Sequence, residues 1–97
     1  MLKIYAIIMG SNSELTQSEI SYFLYKISRL YINCWILRDS VIFLSTDQSA
    51  EQIHNRISSK IEFPINFIVT ELAKNWWGNF SKDFFNWLDK ENPNWNL

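Results

Sequence analysis

The order in which apolar patterns alternate with turn residues constrains the fold of this 97-residue chain more than any other feature. Residues 2–9 form a short apolar run with β-branched and aromatic members, which predicts a buried strand. From Ile20 to Leu30 the apolar residues recur three and four positions apart, the spacing that gives a helix one apolar face. Apolar runs at 31–37 and 41–44 predict two more strands, and the polar residues between them predict a hairpin turn.

The second half of the chain predicts another helix and another strand. Ile53, Ile57 and Ile61 are four residues apart and indicate an amphipathic helix. Phe63–Pro64 should end that helix, because proline disfavours helical geometry in the residue before it. Residues 65–72 predict a fourth strand. The order strand, helix, strand, strand, helix, strand predicts an α+β fold: a ferredoxin-like βαββαβ two-layer sandwich, followed by an extra C-terminal helix.

Two helix starts carry a sequence signature. Thr16 and Glu19 have the spacing of a capping box, in which a hydroxyl and a carboxylate satisfy free backbone amides at the start of a helix. Ser13 is an alternative start for the same helix. Ser49 and Gln52 predict a second capping box for the second helix. The first helix therefore has two candidate starts and the second has one.

A third helix is predicted near the C-terminal end of the sequence. Ser81 is a favourable N-cap, and Phe80 before it is placed to pack against Phe85 as a hydrophobic staple. Asn92–Pro93 should end the helix.

The length of the chain predicts a single domain over residues 1–97. We expect its core over about residues 1–73, and a tryptophan loop with the C-terminal helix over about residues 74–92. No apolar stretch approaches the roughly 20 residues that a membrane-spanning helix needs. We therefore expect a soluble protein with no membrane contact, and the single cysteine fits a cytoplasmic protein.

The five tryptophans favour a surface that binds another protein, because aromatic side chains are typical anchors of interfaces. Trp76 and Trp77 are adjacent in the tryptophan loop. We expect Trp77 to face inward and hold the C-terminal helix to the sheet, and Trp76 to meet a partner or a second protomer; stacking on nucleic acid is the alternative. The predicted interaction residues are Trp76, Trp77, Phe80, Trp87 and Trp95.

The charge balance disfavours a protein that works mainly by neutralising nucleic-acid phosphates. Nine basic and ten acidic residues give a net charge of −1, whereas such proteins carry a basic field. Lys26, Arg29 and Arg38, with Tyr25 and Tyr31, form a weak candidate patch for single-stranded RNA. Ordinary solvated positions are the alternative for the same residues.

The scarcity of several residue types excludes common sites. A single cysteine, Cys34, permits no internal disulfide and no cysteine-rich zinc site, and it lies in an apolar run typical of burial. The lone histidine, His54, lies beside the isoleucine ridge of the second helix and should point to solvent. Two glycines are too few for a glycine-rich phosphate loop.

The carboxylates are scattered in the sequence. A hard-metal site needs several of them to converge, and the candidates at turns and strand ends are more typical of turns and caps: Glu14, Asp39, Asp47 and Glu71. We therefore predict no catalytic, cofactor-binding or metal-binding residue and no cofactor.

Two stretches resemble a known family. Residues 37–57, L-R-D-S-V-I-F-L-S-T-D-Q-S-A-E-Q-I-H-N-R-I, are similar to a hairpin turn, strand and helix start found in small bacterial proteins. Those proteins are relatives of the second core adaptation subunit of CRISPR systems and of virulence-associated protein D. Trp77-Gly78-Asn79-Phe80 and Trp87-Leu88 resemble a loop and helix end in the same family. The resemblance implies a ferredoxin-like fold and a homodimer in which the sheets pair and the C-terminal segment helps lock the two chains.

One departure from the family pattern bears on activity. Catalytic members carry an aspartate at the end of the first strand that binds a divalent metal, and this chain has Met9-Gly10-Ser11-Asn12 there. Because an amide or hydroxyl does not replace a carboxylate on Mg²⁺, metal-dependent cleavage is disfavoured.

Three functions stay open at this point. The favoured one is a small non-catalytic dimeric protein-binding module of the antitoxin, immunity or phage–host conflict type. The alternative is a metal-dependent endoribonuclease with a displaced acidic site at Asp39, Asp47 or Glu71. The third is a regulatory domain that binds a small molecule, for which the sequence contains no ligand motif.

Overall fold

A computed structural model describes residues 2–10, 14–37, 41–73, 78 and 81–91 of the chain. These residues form four strands and three helices in the order β-α-β-β-α-β-α. The elements are β1 (Lys3–Met9), α1 (Gln17–Leu30), β2 (Cys34–Leu37), β3 (Val41–Thr46), α2 (Ala50–Ser58), β4 (Phe67–Leu72) and α3 (Lys82–Glu91). The predicted α+β class and the order of the first six elements are confirmed.

The four strands form one sheet in the order β2-β3-β1-β4, and every neighbouring pair is antiparallel. Since β1 and β2 are both antiparallel to β3, they run parallel to each other on either side of it. By the same reasoning, β3 and β4 run parallel on either side of β1. The helices α1 and α2 are therefore crossovers that each skip one strand, and the two βαβ units interlock.

The inner face of the sheet, defined here as the face that α1 and α2 cover, carries the larger cluster of buried side chains. Alternate residues of β1 and β3 point to this face, as the two-residue repeat of a strand requires. Buried side chains from both helices pack against them, and the cluster comprises Tyr5, Ile7, Phe23, Leu24, Ile27, Tyr31, Ile42, Leu44, Ile53 and Ile57.

The outer face, defined as the opposite face, is partly covered by α3. Phe84 and Leu88 of α3 are buried with Ile4, Ala6 and Phe43 of the sheet. The sheet with α1 and α2 makes the two predicted layers, and α3 adds a third. The sequence predicts this helix but not the side of the sheet that it covers.

Both predicted capping boxes are present. Glu19 N donates to Thr16 Oγ1 at 3.1 Å, and Thr16 N donates to Glu19 Oε1 at 3.0 Å. Ser49 and Gln52 make the same pair of bonds at 3.1 and 2.8 Å at the start of α2. Thr16 is therefore the N-cap of α1, and the alternative start at Ser13 is wrong.

The C-terminal helix begins where the sequence indicates. Ser81 Oγ accepts a hydrogen bond of 3.2 Å from Phe84 N, as an N-cap does. The helix ends at Glu91. Phe80 and Asn92–Pro93 lie outside the described residues.

Several element boundaries differ from the prediction, among them the end of β3, which lies at Thr46 rather than at residue 44. The strand β2 begins at Cys34 rather than at residue 31, because Tyr31 caps the C-terminal end of α1 and donates its backbone N–H to Ile27 O. The helix α2 ends at Ser58, well before Phe63–Pro64. Ser59 Oγ donates to Arg56 O at 2.8 Å, the kind of local bond by which serine competes with helix propagation.

The strand β4 begins at Phe67 rather than at residue 65. Among the described residues, no helix is both long and apolar enough to cross a membrane.

Candidate interaction surfaces

An aromatic cluster joins α3 to the outer face of the sheet. The Phe84 ring lies 4.9 Å from Phe43 and 6.0 Å from Trp35, measured between ring centroids. The Trp87 ring lies 6.3 Å from Trp35 and 6.1 Å from Phe84. Three of these pairs are tilted or edge-on and the Phe84–Trp87 pair is stacked, arrangements that are favourable for aromatic rings at these separations. This cluster holds α3 on the sheet.

Trp87 is the predicted interaction residue that the structure describes. Its side chain is half-buried, so one part packs within its own chain while another part stays accessible. The other predicted interaction residues, Trp76, Trp77, Phe80 and Trp95, lie outside the described residues. Their assignment, including the inward position of Trp77, stays a prediction.

Two isoleucines are exposed on the outer face beside the part that α3 covers. Ile8 of β1 and Ile68 of β4 are directly opposite each other across the strand pair, and their exposed fractions are 40% and 65%. They share a face with Ile4, since residues alternate along a strand. The apolar character of the outer face therefore continues past α3 onto an accessible surface.

The exposed pair adjoins a sheet edge. The strand β4 is the last in the sheet, and β1 is its partner among the described residues. Gly10 N donates to Asn66 O at 2.9 Å, which fixes residue 66 as one that bonds toward β1. Because bonding direction alternates along a strand, Phe67, Val69 and Glu71 direct their backbone groups away from β1. The backbone N–H and C=O groups of these three residues are therefore directed toward the outer side of the β4 edge.

A second exposed surface lies on α1. Tyr22, Tyr25, Lys26 and Arg29 are three and four residues apart and occupy the side of the helix opposite its buried face; they are called the α1 stripe. Tyr22 and Tyr25 have exposed fractions of 44% and 56%. Lys26 Nζ lies 5.4 Å from the centroid of the Tyr22 ring, a cation–π geometry.

The weak nucleic-acid patch predicted from the sequence is only partly assembled. Lys26 and Arg29 share the α1 stripe with Tyr25. Tyr31 does not join them, since its side chain is 5% exposed and belongs to the inner core; its assignment to the patch is wrong. Arg38 lies outside the described residues.

Tyr31 instead connects α1 to α2. Its hydroxyl donates to Gln48 Oε1 at 2.6 Å, and the Arg56 guanidinium lies 4.9 Å from the centroid of its ring. Burial raises the pKa of the Tyr31 phenol, and this effect outweighs the opposing influence of the Arg56 charge and hydrogen bond. The role of Tyr31 is therefore structural: it packs α1 against α2.

The acidic candidates do not converge in the part of the chain that the structure describes. Glu71 Oε1 lies 3.9 Å from Lys3 Nζ, an exposed pair across β4 and β1. Asp39 lies outside the described residues, as do residues 11 and 12 of the strand-end motif. Among the described residues, no three His, Cys, Asp or Glu side chains are grouped so as to hold a metal ion. The displaced nuclease site stays a prediction.

His54 and Cys34 have structural surroundings. His54 is exposed, as expected, and its ring stacks on Phe67 at 4.7 Å between centroids. Cys34 is half-buried rather than fully buried, and burial raises the pKa of its thiol.

The exposed isoleucines and Tyr22 were not predicted from the sequence. The alternation in β1 was the available signal, because Ile4, Ala6 and Ile8 had to share a face opposite Tyr5 and Ile7. That alternation was hidden because both faces of β1 are apolar. Tyr22 is four residues before Lys26, so helical spacing places both on one side of α1; that spacing was applied only to the buried side of the helix.

Comparison of the chain with protein-family models, with curated proteins and with solved structures gives no match.

Proposed function

We propose that the chain is a small ferredoxin-like, non-catalytic protein-binding module that works as a homodimer. The observation that carries the proposal is the exposed pair Ile8 and Ile68 beside the edge of β4, a strand whose partner among the described residues is β1 alone. Apolar side chains next to unpaired backbone groups favour association, and natural proteins usually cover such an edge. A second copy of the chain can pair with this edge, and it is always present at the same concentration as the first.

The order of the strands supports the ferredoxin-like assignment. Read from β4, the sheet order is β4-β1-β3-β2. Each βαβ unit encloses a central strand of the other unit, which is the split βαβ arrangement of ferredoxin-like sandwiches. The helix α3 stands outside this core and covers part of the outer face.

A two-fold axis perpendicular to the sheet brings β4 of one protomer alongside β4 of its partner. The strands then run antiparallel, and with the axis at Ile68 the outward backbone groups of Phe67 and Val69 pair with those of Val69 and Phe67 in the second copy. The outer faces of the two sheets become continuous. The exposed side chains of Ile68 from both protomers then cover each other, flanked by Ile8.

The antitoxin, immunity or conflict-system setting rests on the motif resemblance. It predicts a protein partner encoded close to this chain in the source genome. Co-expression of the neighbouring genes, followed by affinity purification with the Ile68→Asp variant as a parallel sample, identifies such a partner. A neighbouring protein that remains bound at high salt supports this setting, and the absence of any bound neighbour contradicts it.

Light scattering after gel filtration tests the homodimer. At about 50 µM protein we expect a mass twice the 11.6 kDa of the chain. Ile68→Asp should shift the mass toward the monomer, because it places two carboxylates next to each other in an apolar interface. Ile32→Asp is the matched control, since Ile32 is 89% exposed just before β2 at the opposite edge of the sheet. A monomeric wild type, or equal behaviour of the two variants, contradicts the proposed dimer.

A further inference from the structure

The α1 stripe has the spacing of a helix that pairs with another helix. Its members lie at positions i, i+3, i+4 and i+7, starting from Tyr22. Helices that dock against a partner use this spacing for their contact residues. Ile32, two residues after α1, is 89% exposed. Exposed aromatic and apolar side chains thus run along α1 and continue past its end.

The stripe is partly organised before any partner binds. The Tyr22 ring lies 6.3 Å from Phe63 on one side, and Lys26 Nζ lies 5.4 Å above it. These contacts limit the rotamers of Tyr22 and Lys26 in the free protein. Because ordering such side chains costs free energy on association, contacts that are already made lower the cost of binding.

The stripe is positive although the whole chain carries a net charge of −1. It contains Lys26 and Arg29 and no acidic residue. Glu19, one turn before Tyr22, is engaged in the capping box with Thr16. In the described part of the chain, the ion pair within 4.0 Å joins Lys3 to Glu71, so the two cations of the stripe have no carboxylate neighbour there. A complementary partner surface therefore carries carboxylates.

We infer that the α1 stripe is a docking surface for an acidic amphipathic helix of a partner protein. The partner helix places apolar side chains against Tyr22, Tyr25 and Ile32, and its carboxylates bind Lys26 and Arg29. This inference rests on the proposed protein-binding function and gives that function a surface distinct from the dimer edge. Single-stranded nucleic acid is the less favoured occupant, because two cations on a convex helix form no groove that follows a phosphate backbone.

A phage-displayed library of helical peptides, selected on the purified wild-type protein, tests the inference. The enriched peptides should combine acidic residues with an apolar stripe. Their affinity, measured by fluorescence anisotropy, should fall by about tenfold or more with Tyr25→Ala and with Arg29→Glu. Lys90→Glu is the matched control, since it makes the same change of charge on the exposed surface of α3 and should leave the affinity unchanged. Thermal melts confirm that each variant is folded.

A charge exchange makes the test specific. Replacing the peptide's glutamates by lysine should abolish binding to the wild type and restore part of the binding to Arg29→Glu. No enrichment of acidic peptides, or binding that is indifferent to Tyr25→Ala and Arg29→Glu, overturns the inference. Binding of a labelled U20 RNA with the same residue dependence, in competition with the peptides, assigns the stripe to nucleic acid and also overturns it. The oligomeric state of the Ile68 variants is measured separately, so failure here is distinguishable from failure of the dimer.

Discussion

Phe84→Ala tests whether α3 is an integral part of the fold. The Phe84 side chain is 1% exposed and packs between Phe43 at 4.9 Å and Trp35 at 6.0 Å. Truncating a fully buried phenylalanine costs about 3–5 kcal/mol, from lost burial and from the cavity that remains. A domain of this size has roughly 5–15 kcal/mol of stability in total. The substitution should therefore remove a large fraction of it.

The position of α3 after the last strand sets an upper limit on the loss. If the docking of α3 is worth less than the cost of the cavity, the helix detaches, and the free energy of unfolding falls only by the docking free energy. Urea denaturation followed by far-UV circular dichroism measures the total loss, and binding of a hydrophobic dye reports the exposure of Trp35, Phe43 and their neighbours.

We expect a loss of about 3 kcal/mol or more for Phe84→Ala, with dye binding in the native state if the helix detaches. Asn86→Ala, at an exposed position of the same helix, is the control and should change stability by less than about 0.5 kcal/mol. Phe84→Leu keeps part of the volume and remains measurable if the alanine variant does not fold. Equal stabilities of Phe84→Ala and Asn86→Ala would refute the assignment of α3 to the outer face.

Four further predictions concern other parts of the chain. Thr16→Ala should cost about 1 kcal/mol of stability in urea melts, because it removes one half of the capping box; an unchanged midpoint contradicts the assignment of the cap. Burial raises the pKa of the Cys34 thiol, so iodoacetamide should alkylate it more slowly in the folded than in the unfolded protein at the same pH, and equal rates would show that the thiol is freely accessible. Burial also raises the pKa of Tyr31, so the unfolded chain loses this phenolic proton at a lower pH than the folded chain. The contribution of the protonated phenol to stability is intact below about pH 10 and is lost as the pH rises through the folded pKa. Tyr31→Phe should therefore flatten the decline of stability in urea melts at alkaline pH. Trp77→Ala should destabilise the fold by roughly 3 kcal/mol while Trp76→Ala spares folding and weakens association, and the reverse result in melts and gel filtration would exchange the two assignments.

Local sequence signals predicted the starts of the helices well. The capping boxes at Thr16 and Ser49 are formed by residues three apart, so the sequence contains both partners and no distant contact is needed. The order of the elements was equally accessible, since each apolar run is separated from the next by turn residues. These features depend on neighbours along the chain.

Features for which two local signals compete, and features that depend on distant contacts, were not predictable in the same way. The end of α2 at Ser58 depends on local serine bonds that compete with a pattern in which Ile61 continues the apolar spacing. Tyr31 fits a strand pattern equally well, and its burial against Gln48 is decided by how α1 meets α2. The side of the sheet that α3 covers follows from the aromatic contacts of Phe84, which the sequence presents without a partner.

The proposed homodimer joins two copies of the chain at the edge of β4, beside Ile68. Disulfide cross-linking between single-cysteine variants tests it most directly, in a Cys34→Ala background that leaves no other thiol. Ile68 and Thr70 point to the same face near the centre of β4, so a two-fold antiparallel pairing brings one of them close to its own copy. We predict that Ile68→Cys or Thr70→Cys forms a covalent dimer rapidly under mild oxidation, while Ser58→Cys, at the end of α2, stays monomeric. Cross-linking of both β4 variants at no more than the rate of Ser58→Cys would contradict the claim.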